Sequence, residues 1–270
     1  MGAPTTTGQI ESYISGVQIA ENTVIRPIAE SLIAIRDNGA SGSISLVKYL
    51  KEDALRKPTS ISFNALGYDD SFTIDTLEAR GDILMAAGSS IVTDAQASVS
   101  FKGETVTLLG SVIAQAGKIS ISGVNSFPAT TTQRLAITQA LPTVHIGNTA
   151  QLIASGTTLL EQDYFGRRIG KLLSGGTVSV SGNIVGEKGS IVDVSGTSGI
   201  LDVSPLSLSS NTLTSARQSS LLDDASLFFQ GIETRIDSNG GMIDLTGGQM
   251  LLSDSTLLGR SGGSSAVGGT

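Results

Sequence analysis

Cysteine is missing from all 270 residues, and so is tryptophan. Without cysteine there is no disulfide framework and no thiolate metal site, so burial and hydrogen bonding alone hold the chain together. Aromatic residues are scarce, at 4%. A compact core of this size normally draws much of its buried area from large aromatic rings. Here Ile, Val, Leu and Ala have to fill the interior, which suits narrow spaces between stacked strands, where β-branched side chains pack well. Proline is limited to 6 positions and histidine to His145.

Charge is sparse as well. Only 15% of residues are charged and the net charge is −7, so no basic stripe is offered to a phosphate backbone and nucleic acid is not an expected partner. No apolar run approaches the length of a membrane-spanning helix. The opening Met1-Gly2-Ala3-Pro4-Thr5-Thr6-Thr7 has neither a basic n-region nor an apolar h-region, so it does not read as a secretory signal. If the protein is exported, its signal is expected outside this chain.

Glycine is abundant, 33 of 270, and its spacing exposes a repeat. Val99-Ser100-Phe101 and Ile119-Ser120-Ile121 are apolar/polar/apolar runs 20 residues apart, with Val106-Thr107-Leu108 and Val112-Ile113-Ala114 between them and Gly103, Gly110 and Gly117 at the breaks. Three short strands and three tight corners in about twenty residues describe a triangular coil. The rhythm returns at Gly176-Thr177-Val178-Ser179-Val180-Ser181-Gly182, at Gly189-Ser190-Ile191-Val192-Asp193-Val194, and at Gly241-Met242-Ile243-Asp244-Leu245. A β-sandwich needs longer strands, a propeller needs aromatic signatures at a longer period, and Gly240-Gly241-Met242-Ile243-Asp244 does not match a calcium-binding nonapeptide. The expected fold is an all-β, right-handed parallel β-helix with about 20 residues per coil and short helical or loop excursions.

Four segments are expected: coils with a helical excursion in 1–80, regular coils in 81–123, an irregular excursion in 124–170, and regular coils in 171–270, truncated at the C-terminus because Val267-Gly268-Gly269-Thr270 carries no polar cap. Val47, Leu50, Ala54 and Leu55 form a helical stripe ended by Pro58. Thr130 to Leu141, Thr157 to Lys171 and Asn211 to Gln230 break the rhythm. Insertions in solenoids map to loops on one face, so these are the expected places for recognition. Allowing for them, about ten coils would make a rod near ~50 Å long.

The segments Gly81-Asp82-Ile83-Leu84-Met85-Ala86-Ala87-Gly88-Ser89-Ser90-Ile91, Gly110-Ser111-Val112-Ile113-Ala114, Gly175–Gly182 and Gly189–Gly196 resemble the filamentous-haemagglutinin-like large exoproteins of two-partner secretion. The resemblance implies a β-helical shaft, an outer-membrane transporter for the parent protein, and display as an adhesin at the bacterial cell surface or secretion from it. Implied partners are a host or neighbouring cell surface, through a glycan or other receptor, with self-association through coil ends. The Asn-rich secretion domain of that family is not found in this chain.

Chemistry is thinly represented. His145, in Pro142-Thr143-Val144-His145-Ile146-Gly147, alternates with β-branched residues and reads as an outward strand position before it reads as a general base. One histidine and no cysteine leave neither a His-dependent triad nor a zinc site. Asp69-Asp70 and Asp223-Asp224 could serve a carbohydrate-active β-helix enzyme, yet each also reads as a turn or a solvated loop. Ser261-Gly262-Gly263-Ser264-Ser265 lacks the Lys-Ser/Thr of a phosphate loop. The expectation is a non-enzymatic structural or adhesive rod with no catalytic residue, cofactor or metal. The alternatives are a carbohydrate-active enzyme or tailspike-like polysaccharide binder, and the shaft of a toxin-delivery exoprotein.

Overall fold

A computed structural model describes residues 16–28, 31–37, 44–65, 68–69, 78–79, 81–124, 141–164, 166–203 and 231–270. The chain winds as a parallel β-helix with three faces. The first coil comprises β1 (Val17–Ile19), β2 (Val24–Ile25), a hairpin of β3 (Ser31–Asp37) and β4 (Ile44–Leu50), then β5 (Ile61–Asn64) and the short pair β6 (Tyr68–Asp69) and β7 (Glu78–Ala79). Two uninterrupted coils follow. They are β8 (Asp82–Met85), β9 (Ser90–Val92) and β10 (Ser98–Gly103), then β11 (Thr105–Leu108), β12 (Ser111–Ile113) and β13 (Lys118–Gly123).

The fourth coil has β14 (Thr143–Ile146), β15 (Gln151–Ile153), a hairpin of β16 (Thr157–Gln162) and β17 (Arg168–Leu173), and the first half of β18 (Thr177–Gly186). The fifth runs through the second half of β18, β19 (Ile191–Asp193), a hairpin of β20 (Ser198–Val203) and β21 (Ile232–Asp237), and the first half of β22 (Met242–Ser253). The second half of β22 and β23 (Thr256–Leu258) open the sixth.

Stacking keeps the inward columns aligned from coil to coil, with one register shift in the described pairs, between Gly182 and Ile184 where β18 meets β22. Val17, Ile83, Val106, Val144, Ile184 and Leu251 form one inward column on the first face. Ile91, Val112, Leu152, Val192 and Leu257 form another on the second. Phe63, Phe101, Ile121, Val180 and Leu245 line the third. From the second coil to the fifth, these side chains are essentially sealed from solvent except Leu245, which is half-buried. Alternation explains the result: with a side-chain period of two, Val-Ser-Val-Ser places every Val inside and every Ser outside. Each fully buried Val, Ile or Leu contributes roughly 1.5–3 kcal/mol.

Glycine serves two separate purposes. At the corner entering the third face, Gly117, Gly176 and Gly241 stack, and a Cβ on Gly176 would lie 2.0 Å from the carbonyl oxygen of Gly117. That carbonyl is occupied, accepting the Thr177 N–H at 2.9 Å. At Gly182 the need is conformational: φ is +126° there, and the bend lets one continuous β18 serve the third face of one coil and the first face of the next.

Three expectations are revised. The stripe through Val47, Leu50, Ala54 and Leu55 is not a helix: Ile44–Leu50 is a strand paired antiparallel with Ser31–Asp37, followed by one 3₁₀ turn at Asp53–Leu55. A strand partner satisfies the backbone groups of both segments at once, and a sequence run read on its own does not show that partner. Within 124–170, Thr143–Ile146 and Gln151–Ile153 are coil strands, and Thr157–Gln162 with Arg168–Leu173 is an ordered hairpin. The coil count falls from ten to six levels on the first and second faces, because insertions consume more of the chain; at ~4.8 Å per level the described stack advances about 24 Å. The expected excursions at 130–140 and 211–230 lie outside the described residues.

Candidate functional site

His145 sits on β14 with its side chain outward, in register between Thr107 and Val185 of the neighbouring coils. Its Nε2 donates to Glu187 Oε1 at 2.9 Å, and Glu187 Oε2 accepts the Asn148 backbone N–H at 2.9 Å. The hydrogen bond from His145, then that from Asn148, holds the Glu187 carboxyl below the usual glutamate range. The pair ties one coil to the next at the corner between the first two faces. Local sequence gives no hint of it, because the two residues are 42 apart. Only the coil register brings Glu187 beside His145.

Of the acidic candidates, Asp69 falls in β6, where only the backbone is described, and Asp70, Asp223 and Asp224 lie outside the described residues. Among the described residues no group of three His, Asp or Glu side chains could hold a metal ion. The loop 261–265 is tied down by Asp237, which accepts from the Ser265 hydroxyl at 2.9 Å and from Arg235 Nε at 2.9 Å. Those bonds, Arg235 first, lower the Asp237 carboxyl.

The most distinctive construction lies along one edge of the coils. The hairpins β3–β4, β16–β17 and β20–β21 all leave the helix at the same corner, between the second and third faces. They are braced against the coils and against one another. Arg56, just after the 3₁₀ turn, pairs with Asp94 at 2.8 Å, fixing the first insertion to the tight corner of the second coil, and the turn itself packs on β16.

Next along the edge, β17 packs on β20. Gly199 lies against Thr158 and Leu172 with no room for a larger side chain, and Leu201 is buried. The Arg168 N–H donates to Asp202 Oδ2 at 2.7 Å, while its guanidinium pairs with Glu233 and Asp202. At the tip of β16–β17, Asp163 accepts from the backbone and guanidinium of Arg167.

This braced flank displays apolar side chains outward. Tyr164 is 96% exposed, and Leu46, Leu50, Leu55, Leu160, Ile200 and Ile232 are about half exposed or more. Composition alone marked 157–171 and 211–230 as departures from the rhythm, but not that the insertions share a corner.

The outer surface of the third face differs in character. Ser62, Ser100, Ser120, Ser179 and Asp244 form one column, and Asn64, Lys102, Ser122, Ser181 and Thr246 the next. Neighbouring hydroxyls satisfy each other, Ser100 donating to Ser62 at 2.8 Å and Ser181 to Ser122 at 3.0 Å. Such a surface is an ordinary solvated sheet face. No family model, curated protein or solved structure matches the chain.

Proposed function

We propose that this chain is a non-enzymatic rod of a bacterial surface or secreted exoprotein, in which the parallel coils hold the hairpin flank out as a recognition surface. The observation that carries the reading is the convergence of β3–β4, β16–β17 and β20–β21 on one corner, with aromatic and aliphatic side chains displayed there. Solenoid insertions that share a face commonly form the binding face. Exposed apolar groups on a braced, pre-ordered scaffold bind with little loss of conformational freedom. The coils themselves turn alternating Ser, Thr, Asn and Lys to solvent, which suits a shaft. The resemblance to filamentous-haemagglutinin-like exoproteins supports the location outside the cell and a receptor, glycan or protein, on another cell surface.

The test is binding of the purified chain to immobilised glycans and to whole cells, repeated with Tyr164→Ala and with the triple variant Leu160→Ser, Ile200→Ser, Ile232→Ser. Loss of binding in both variants, with unchanged circular dichroism, is the expected result. Release of reducing or unsaturated sugars from an acidic polysaccharide, abolished by Asp69→Ala or Asp223→Ala, would replace the rod with a carbohydrate-active enzyme.

A further inference from the structure

Asparagine followed by glycine is prone to rearrange without any catalyst. Glycine carries no Cβ to obstruct the approach, so its backbone nitrogen can reach the asparagine side-chain carbonyl carbon. The sequence holds two such pairs, Asn38–Gly39, which lies outside the described residues, and Asn239–Gly240. The second stands between β21 and β22, at the base of the fifth-coil hairpin, with Asn239 exposed to water.

One residue holds both reacting groups of this pair. Asn239 Oδ1 accepts the Val267 N–H at 2.9 Å, and the Gly240 N–H donates to Val267 O, also at 2.9 Å. The first bond fixes the side-chain amide, and the second occupies the hydrogen that has to leave the attacking nitrogen. Gly240 is walled in as well, since a Cβ on it would stand 2.3 Å from Gly269 N. The segment 259–269 that supplies Val267 is anchored in turn, by Gly262 N–H on Ser238 O at 2.8 Å and by the Ser265 hydroxyl on Asp237 at 2.9 Å.

We infer that Asn239–Gly240 is a self-modification site that Val267 holds shut. When the 259–269 segment opens locally, the Gly240 nitrogen bonds to Asn239 Cγ and the bond from Cγ to the side-chain nitrogen breaks. That nitrogen leaves as ammonia, carrying the proton lost by Gly240, and a succinimide ring remains. Water opens the ring to aspartate or isoaspartate. The step is irreversible and needs no oxidant or cofactor, so it records opening of this corner. In the isoaspartate product the carbonyl that now accepts the Gly175 N–H at 2.9 Å becomes part of a free carboxylate, and the main chain gains a methylene where two hairpins leave the coils. The inference stands whether or not the hairpin flank binds a surface.

The experiment incubates the full chain in mildly alkaline buffer, folded and unfolded in guanidinium chloride. Peptide mapping by mass spectrometry follows the Asn239 peptide separately from the Asn38 peptide and distinguishes aspartate from isoaspartate. Conversion at Asn239 is expected to be at least about tenfold slower in the folded wild type than in the unfolded chain. Val267→Pro deletes the N–H donated to Asn239 at a side chain that is 72% exposed, and is expected to convert at close to the unfolded rate while keeping the thermal melt. Ser265→Ala frees the segment from Asp237 and leaves both Val267 bonds in place, so its rate is expected between the two.

A folded wild type that converts as fast as the unfolded chain would overturn the inference, because the two bonds would then hold nothing. So would folded variants that both convert at the wild-type rate, which places the protection elsewhere. If Val267→Pro does not fold, a Ser265→Ala rate equal to that of the wild type overturns it alone.

Discussion

The rings of Phe63 and Phe101 stack one coil apart inside the third face, with centroids 5.2 Å apart and planes inclined by 12°. They are an aromatic pair in a core otherwise built from aliphatic side chains, and Phe101 is the largest fully buried side chain described. Phe101→Ala leaves a cavity between two coils that the stacked backbones cannot collapse into. We expect a loss of about 3–5 kcal/mol, read as a lower urea midpoint. Phe63→Ala, at the half-buried end of the column, should cost less. Equal losses would show that stacking across the pair, rather than burial, sets the energy.

The Gly176 corner allows a sharper trial. Alanine there places a Cβ 2.0 Å from Gly117 O, an atom fixed in a ladder of corner hydrogen bonds. Gly176→Ala should destabilise by more than ~2 kcal/mol, or block folding. Gly268→Ala, whose nearest neighbour stands at 3.2 Å, should be much milder. A neutral Gly176→Ala would mean that the coils separate freely at this corner.

Asn183 spans three levels with one amide. Its Nδ2 donates to Pro142 O at 3.0 Å, and its Oδ1 accepts from Gln249 N at 2.8 Å and Met250 N at 3.0 Å. Asn183→Ala removes the acceptor of the Gln249 and Met250 N–H groups at the exposed side of the contact, while Pro142 O keeps the Asn183 backbone N–H at 3.1 Å, so we expect a loss of about 1 kcal/mol per lost bond. Asn183→Asp keeps the acceptor and loses the donor, so it should fall between the wild type and alanine. Hydrogen exchange at Gln249 and Met250 would report the loss locally.

The His145–Glu187 pair predicts a pH effect with a definite sign. The Glu187 carboxyl titrates below its ordinary value of 4.5 in the folded chain. Its stabilisation is therefore complete above that value and disappears as pH falls through the lower folded one. Glu187→Gln should lower the urea midpoint at neutral pH, and the gap to wild type should close as pH falls below the lowered folded value. A gap of constant size would assign the effect to packing.

The coil strands were legible because their signal is local. Val99-Ser100-Phe101, Ile119-Ser120-Ile121 and Val178-Ser179-Val180 each alternate within a few residues, and Gly117 and Gly176 mark the corner between them. Thr143–Ile146 and Gln151–Ile153 alternate equally well, but insertions on either side stretch the repeat distance and hide them from the twenty-residue rhythm. The stripe at 46–57 misled for a related reason. Val47 and Leu50 would share a face of a helix but take opposite faces of the strand, and it is the backbone pairing with Ser31–Asp37, invisible in the run itself, that decides.

By itself, the sequence determined the parallel β-helix, its aliphatic core and the inward or outward sense of each coil residue, since a period of two and a requirement for glycine are properties of the backbone at each position. Tertiary structure alone decided that three hairpins share one corner, that Glu187 stands beside His145, that Asn183 bridges three levels, and that Leu251 and Leu257 stack on Ile184 and Val192. Each of these depends on which residues the coil register superposes across separations of tens of residues. That register is the running sum of every insertion between them, so no local pattern carries it.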